Sequence, residues 1–380
     1  MIIKNAEVYT KDHKFEKKDI LIKDEKIERL AEPGSLCASC GGEVIDAEGM
    51  YVIPGLVDIH FHGAMGHDMC NSSKEEFEKI AEYEARNGIL AICPATMSYN
   101  EEILTKVVSE AAKYDDENGA DLVGINLEGP FINTDKAGAQ NKDYIMPASV
   151  MMFRNLQSKC GNLIKLVDLA PEIPESMEFI KECGNEVRVS IAHTCCTYEE
   201  AREAFENGAK HMTHLYNAMP GINHRSPGPI VAGVEAGATA EIITDGIHIH
   251  PAAVRFAFRM FGADRMILIS DSMEATGLED GTYSLGGQLV KVTGKRATLA
   301  HNDAVLAGSV TNLFNCMRTA VKEMEIPLED AVRAASENPA AAIGVGDSYG
   351  KAAEGYYANL ILMDKDMNIK KLIKRGRELV

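Results

Sequence analysis

The sequence predicts an α/β fold: a (β/α)8 barrel of the TIM type with a small β-domain built from the N- and C-terminal segments. Three observations predict it. Apolar runs of strand type alternate with helical patterns through the middle of the chain. Both ends read as short strands and turns. No low-complexity stretch or long linker divides the 380 residues into separate modules. A doubly wound sheet is the alternative that the same alternation permits.

The first residues read as strands in "IIKNAEVYT", "DILIKDEKIERLAE" and "EVIDAEGMYVIPG", with a turn at Lys23, Asp24 and Glu25. The end of the chain, "ANLILMDKDMNIKKLIKRGREL", has the same character. Chain termini often lie close together, so residues 1–53 and 345–380 are expected to pair into one β-domain beside a barrel spanning 54–344. Eight apolar runs supply the barrel strands: "GLVDIHFH", "AICPAT", "LVGINLEG", "IKLVDLAPE", "VRVSIAHT", "HMTHLYNAM", "AEIITDGIH" and "MILISDSM". Helical patterns such as "KEEFEKIAEYEARNG" and "TYEEAREAFENGA" separate them, several closed by Gly or Asn. After the eighth strand, "YSLGGQLVKVTGKRATLAHNDAVLAG" reads as an inserted hairpin. Two helices follow, "TNLFNCMRTAVKEM" and "PLEDAVRAASENPAAAIG", the second with Pro327 in its first turn.

Composition narrows the function. With 46% hydrophobic and 25% charged residues the chain is of soluble globular type. It contains no run of eighteen apolar residues, and "MIIKNAEVYTKDHK" lacks the apolar core of a secretory leader. Nine cysteines, an odd number at irregular spacing, suggest reduced thiols and a cytoplasmic protein. A net charge of −18 argues against nucleic acid and anionic membranes as partners. Neither GxxxxGK nor GxGxxG occurs. "CASC" (Cys37 to Cys40) stands alone, without the second pair that a zinc ribbon needs, and reads as a chance spacing in a loop. "TCCT" (Cys195, Cys196) reads as small buried residues beside a site.

Barrel sites form at the C-terminal ends of the strands. The first run ends in His60 and His62, and residues i and i+2 of a strand face the same side. The others bring Glu128, His193, His214, His248 and Asp271 to the same end. Each has an ordinary reading alone: a core histidine bonded to a carbonyl, or a carboxylate capping a helix. Six strands ending this way point instead to a divalent transition metal, because imidazole and carboxylate are its ligands. Glu128, His193 and His214 make three protein ligands with a position left open, the catalytic pattern. His60 and His62 are placed to hold a second metal, with Glu128 bridging.

"PGLVDIHFHG", the separate strand-end histidines and the final aspartate resemble the amidohydrolase superfamily. Within it, "LEGPF", "KAGAQN", "APE", "THLYNAM", "HRSPG", "DGIH", "SDSMEATGLEDGTYSLGGQ" and "LAGS" resemble the N-acetylglucosamine-6-phosphate deacetylase family, in order along nearly the whole chain. The resemblance implies a metal-dependent barrel, dimeric as a rule, that acts on a phosphosugar and releases acetate. It implies one or two divalent ions per subunit, zinc or iron first among them. By this resemblance Glu128, His193 and His214 are metal ligands and Asp271 is the acid/base. Ala139 and Gln140 face the acetamido group. Asn217 and Ala218 lie near the phosphate, and His248 contacts the sugar. Leu306, Ala307 and Gly308 line the pocket, and Arg225 reaches the neighbouring subunit's substrate. Three departures from the family pattern stand out. Some members lack the His60 and His62 pair; some carry histidine in place of Gln140; and Ser226 replaces an acid in "HRSPG". Many other amidohydrolases bridge two metals with a carboxylated lysine on strand four, but "IKLVDLAPE" has no lysine at its end. A phosphosugar-binding protein needs Arg225 and His248 but has no use for Asp271.

Overall fold

Asp24 and Glu25 form a two-residue turn between the strands Phe15–Lys23 and Lys26–Ala31, with Asp24 in the left-handed region at φ 52° that such turns require. These strands belong to a mixed eight-stranded sheet that both chain ends build. Its hinge is Tyr51–Pro54, which pairs parallel to Ile2–Tyr9 and antiparallel to Leu360–Met363. Ile3, Val8, Ile20, Val52, Leu360 and Ile373 close a core of their own there. The computed structural model describes residues 1–36 and 42–379, so "CASC" lies outside the described residues.

The middle of the chain forms a curled parallel sheet. Leu56–Asp58, Ile89–Ile92 and Asp121–Leu122 make one part of it. Ile125–Glu128, Ile164–Leu169, Arg188–Ile191, His211–Met212, Thr239–Ile243 and Met266–Ile269 follow side by side in chain order. Backbone hydrogen bonds cross both seams. Asn126 N–H donates to the Pro94 carbonyl and Thr96 N–H to the Asn126 carbonyl, both at 2.9 Å. On the far side Asp271 N–H donates to the His60 carbonyl at 2.9 Å, and His62 N–H to the Ser272 carbonyl at 2.7 Å. The C-terminal ends of the first and last parallel strands therefore meet. Helices cover the outside, and their sequences stop and start them. Lys74–Arg86 begins at a reciprocal Ser73–Glu76 cap and Tyr198–Asn207 at a Thr197–Glu200 cap.

Two segments differ from expectation. The insertion is not one hairpin but a four-stranded meander: Gly281–Leu285, Gln288–Thr293, Arg296–Leu299 and Asn302–Leu306. Its turns at Gly286–Gly287, Gly294–Lys295 and Ala300–His301 each take two residues, so each strand folds back on the last. The helix after Pro327 is two helices, Leu328–Ala335 and Glu337–Ala342, broken at Ser336. Pro339 explains the break, because its ring clashes with the carbonyl four residues earlier and it has no N–H to give.

Glu84 is fully buried on the helix Lys74–Arg86, and neither carboxylate oxygen has a hydrogen-bond partner in the protein. Burial, with the nearby charge of Asp58, pushes its pKa well above the usual carboxylate range. The native protein then keeps a proton that the unfolded chain releases, so stability falls as pH rises above the unfolded pKa, by about 1.4 kcal/mol per pH unit until the native group ionises. Glu84→Met, of similar volume and apolar, is expected to gain stability over the wild type progressively from pH 5 to pH 8. Urea unfolding at the two pH values checks this, and an equal difference at both contradicts it.

Candidate active site

The strand ends open into a cavity of about 400 Å³ lined by His62, Glu128, His193, His214, Asp271 and residues of the surrounding loops and the inserted meander. The local backbone there is unusual. His193 (φ 42°), His214 (φ 27°) and Asp271 (φ 49°) all sit in the left-handed region that residues other than glycine avoid. Such conformations persist where surrounding contacts over-determine them, and they gather at functional sites. At Asp271 those contacts are visible: its N–H donates to His60, and its carbonyl accepts from Ser309 N–H at 2.7 Å. Gly308 lets the chain come this close, since a Cβ at that position would lie 2.9 Å from the Asp271 carbonyl oxygen.

Glu128 is the centre of the arrangement. Its Oε1 lies 3.1 Å from His193 Nε2, 3.3 Å from His214 Nε2 and 3.4 Å from His60 Nε2, and its Oε2 lies 3.4 Å from His62 Nε2. Two groups of three side chains sharing Glu128 result, His60–His62–Glu128 and Glu128–His193–His214, each compact enough to hold one ion and each buried. The donor sets fit a divalent cation. His193 Nε2 and His214 Nε2 face each other at 3.0 Å on one carboxylate oxygen, and His60 Nε2 is buried without a hydrogen-bond partner. Burial favours the neutral form of Glu128, but the imidazoles of His60, His193 and His214 outweigh it and hold the carboxyl well below its usual range. His60 and His62 reach the site from beyond the end of the strand Leu56–Asp58 rather than from within it. Their rings still converge, with centroids 5.6 Å apart.

Asp271 Oδ1 lies 3.3 Å from His62 Nε2 and 3.8 Å from His60 Nε2. Against the effect of burial, the bond from His62 and the charge of His60 lower its pKa, so the carboxylate is ionised. Gln140 is locked between two partners: its carbonyl accepts from Ser98 N–H at 2.6 Å and its amide donates to Glu128 Oε2 at 2.7 Å. One amide hydrogen of Gln140 remains for the cavity, which it lines beside Ala139. Asn217, Ala218, Leu306 and Gly308 also line it, whereas Ala307 is buried just behind the wall. His248 lines it too, and its Nδ1 lies 2.7 Å from Asp245 Oδ2. Although burial works against it, that carboxylate raises the pKa of His248 and favours a positive charge in the pocket.

His60 is buried behind His62 and Glu128 rather than lining the cavity, and Arg225 lies away from it altogether. Arg225 stands exposed on the 221–227 loop, its guanidinium 2.9 Å from His224 Nε2. Cys196 is buried as expected, but Cys195 is exposed. Sequence reasoning missed Lys136, the sole lysine or arginine among the described residues lining the cavity. The signal was its place in "TDKAGAQ", four residues before Gln140. It also missed Glu241, which faces His60 Nδ1 at 2.9 Å from inside an apolar run.

The comparisons agree with this geometry. The model of the amidohydrolase family matches residues 51–379. N-acetylglucosamine-6-phosphate deacetylase of Bacillus subtilis is 34% identical over 388 residues, covering 99% of this chain and 96% of the relative. N-acetylgalactosamine-6-phosphate deacetylase of Escherichia coli O157:H7 is 28% identical, covering 88% and 89%. Among solved structures, a variant of N-acetyl-D-glucosamine-6-phosphate deacetylase from Mycobacterium smegmatis, in complex with N-acetyl-D-glucosamine-6-phosphate, superposes with a TM-score of 0.93 at 29% identity, covering 100% of this chain and 99% of that one. The family match across the curled sheet and its strand-end residues, with relatives that span the full chain, shows that this chain belongs to the amidohydrolase family.

Proposed function

We propose that this chain is a metal-dependent deacetylase that hydrolyses the acetamide of N-acetyl-D-glucosamine 6-phosphate, giving D-glucosamine 6-phosphate and acetate in amino-sugar catabolism and cell-wall sugar recycling. One observation carries the proposal: two His/Glu groups sharing Glu128, with Asp271 beside them, at the floor of one cavity. The curled sheet is in this view a closed (β/α)8 barrel spanning 54–344, and residues 1–53 and 345–380 form the β-domain.

An amide is a weak electrophile with a poor leaving group, so hydrolysis needs an activated water, a stabilised oxyanion and a proton for the amine. Glu128, His193 and His214 would hold one divalent ion, and His60 and His62 with Glu128 would hold a second; zinc or iron suits these donors. When bound, such a cation would supply Lewis-acid polarisation of the carbonyl and lower the pKa of water to near ~7. Asp271 accepts the proton of the attacking water and returns it to nitrogen as the C–N bond breaks. The free amide hydrogen of Gln140 helps to hold the developing oxyanion. His248 and Lys136 bring positive charge to a pocket in a protein of net charge −18, which suits a phosphorylated sugar.

Arg225, exposed on its loop, is proposed to complete the phosphate site of a neighbouring subunit in a cytoplasmic homodimer. No helix among the described residues is long and apolar enough to cross a membrane. Arg225→Ala is expected to reduce specificity for the 6-phosphate by about 10- to 150-fold, the worth of a charged hydrogen bond. Activity on the unphosphorylated sugar is expected to stay nearly unchanged. Mixed Arg225→Ala and Asp271→Asn subunits are expected to regain activity, since one hybrid site keeps both residues. Equal losses on both substrates contradict a phosphate role, and no rescue despite subunit exchange places Arg225 within its own subunit.

A galactosamine epimer is the second reading: Ser226 in place of the acid of the family loop leaves the epimer open, and N-acetylgalactosamine-6-phosphate deacetylase of Escherichia coli O157:H7 is among the similar proteins. Acetate release from a panel of N-acetylated hexosamine 6-phosphates separates the two. The fastest turnover is expected on the glucosamine epimer, and preference for the galactosamine epimer overturns that assignment.

A further inference from the structure

Glu241 sits in the middle of the strand Thr239–Ile243, fully buried, in a position where an apolar residue would continue the run. An ionised carboxylate in such a place is costly unless every oxygen is paired. Its pairing is complete. Oε2 accepts the main-chain N–H of His214 at 3.2 Å and faces His60 Nδ1 at 2.9 Å. Oε1 faces His211 Nε2 at 3.0 Å, and His211 Nδ1 is held in turn by Thr239 Oγ1 at 2.6 Å. An oxygen that already accepts from His214 N–H acts as an acceptor toward His60 as well, so His60 Nδ1 carries the hydrogen. In the neutral imidazole Nε2 is then the nitrogen with the lone pair, and it is the buried, unpartnered atom that lies 3.4 Å from Glu128. His62 and His214 have no such support: the Nδ1 of each is buried without a hydrogen-bond partner.

We propose that Glu241 is a positioning residue that fixes the tautomer and ring orientation of His60, and so makes His60–His62–Glu128 a cation site. It rests on the assignment of that group as a second metal site. The ring of His60 can rotate about its own bond and can carry its hydrogen on either nitrogen. Glu241 removes both freedoms, as carboxylates behind metal-binding imidazoles do in general. His211 and Thr239 hold the far oxygen of Glu241 and keep its plane from turning. The same carboxylate touches the other group only through the His214 backbone, so its influence is directed at His60.

The test reads zinc bound per subunit, by elemental analysis, and zinc affinity by chelator competition, neither of which requires turnover. Wild-type protein is expected to bind two zinc ions. Glu241→Leu, which has no acceptor, is expected to weaken one of them about 10- to 100-fold and to leave the other nearly as tight. Glu241→Gln retains an oxygen for His60 Nδ1–H and is expected to lose less. A double-mutant cycle covers the case in which the leucine variant does not fold. In a His60→Asn background, Glu241→Gln is expected to change zinc affinity by less than about twofold, because its effect runs through His60. Two zinc ions of wild-type affinity in the Glu241 variants overturn the proposal and leave the two-metal assignment standing. So does an equal loss with and without His60. A single zinc per wild-type subunit overturns the two-metal assignment and this proposal with it.

Discussion

Replacing Asp271 by Asn is expected to lower kcat for deacetylation by about 10²- to 10⁴-fold while the phosphosugar still binds, the range typical of a positioned acid–base group. The substitution keeps the shape of the side chain and its contact with His62, so the cavity and its cation groups stay intact. On the proposed mechanism, what is lost is the capacity to take a proton from water and hand it to the amine. Steady-state kinetics with a binding isotherm checks the expectation. A variant within about tenfold of wild type shows that another group moves the proton, since tenfold is only 1.36 kcal/mol of barrier.

Removing His193 or His214 is expected to have an effect as large, by a different route. With Glu128 they form one three-residue group, each imidazole within 3.3 Å of Glu128 Oε1. Changes behind a metal ligand already cost about 10- to 100-fold in affinity, so loss of a ligand itself is expected to exceed that range. His193→Ala and His214→Ala should therefore lose the ion of their group and deacetylation together. His60→Ala is expected to lower metal content without abolishing it, because His60 belongs only to the other group. Equal stoichiometry in wild type and His60→Ala argues for one metal.

These residues were legible in the sequence because strand periodicity and barrel topology both place strand ends at one face. "VDIHFHG" shows the logic and its limit. The i, i+2 spacing suggested a shared face within a strand, whereas the histidines lie beyond the strand and converge through the turn that follows. Glu241 was hidden because nothing local marks a buried carboxylate: its reason lies 181 residues away in His60. Lys136 was hidden because a lysine beside an aspartate reads as solvated surface until the loop folds over the cavity. The four-stranded insertion was underestimated although "GG", "TGK" and "AHND" each carry a turn signal, since pairing partners are set by how many turns close. The break at Ser336 was written in Pro339 and obscured by an alanine-rich helical pattern on both sides.

The central claim is that this cavity removes the acetyl group of a 6-phosphorylated amino sugar and needs a divalent ion to do so. Acetate release from N-acetyl-D-glucosamine 6-phosphate, followed before chelation, after chelation and after return of zinc or ferrous iron, tests it most directly. Activity is expected to vanish on chelation and to return with the ion. Undiminished release from metal-free protein, or no release from metal-loaded protein, contradicts it.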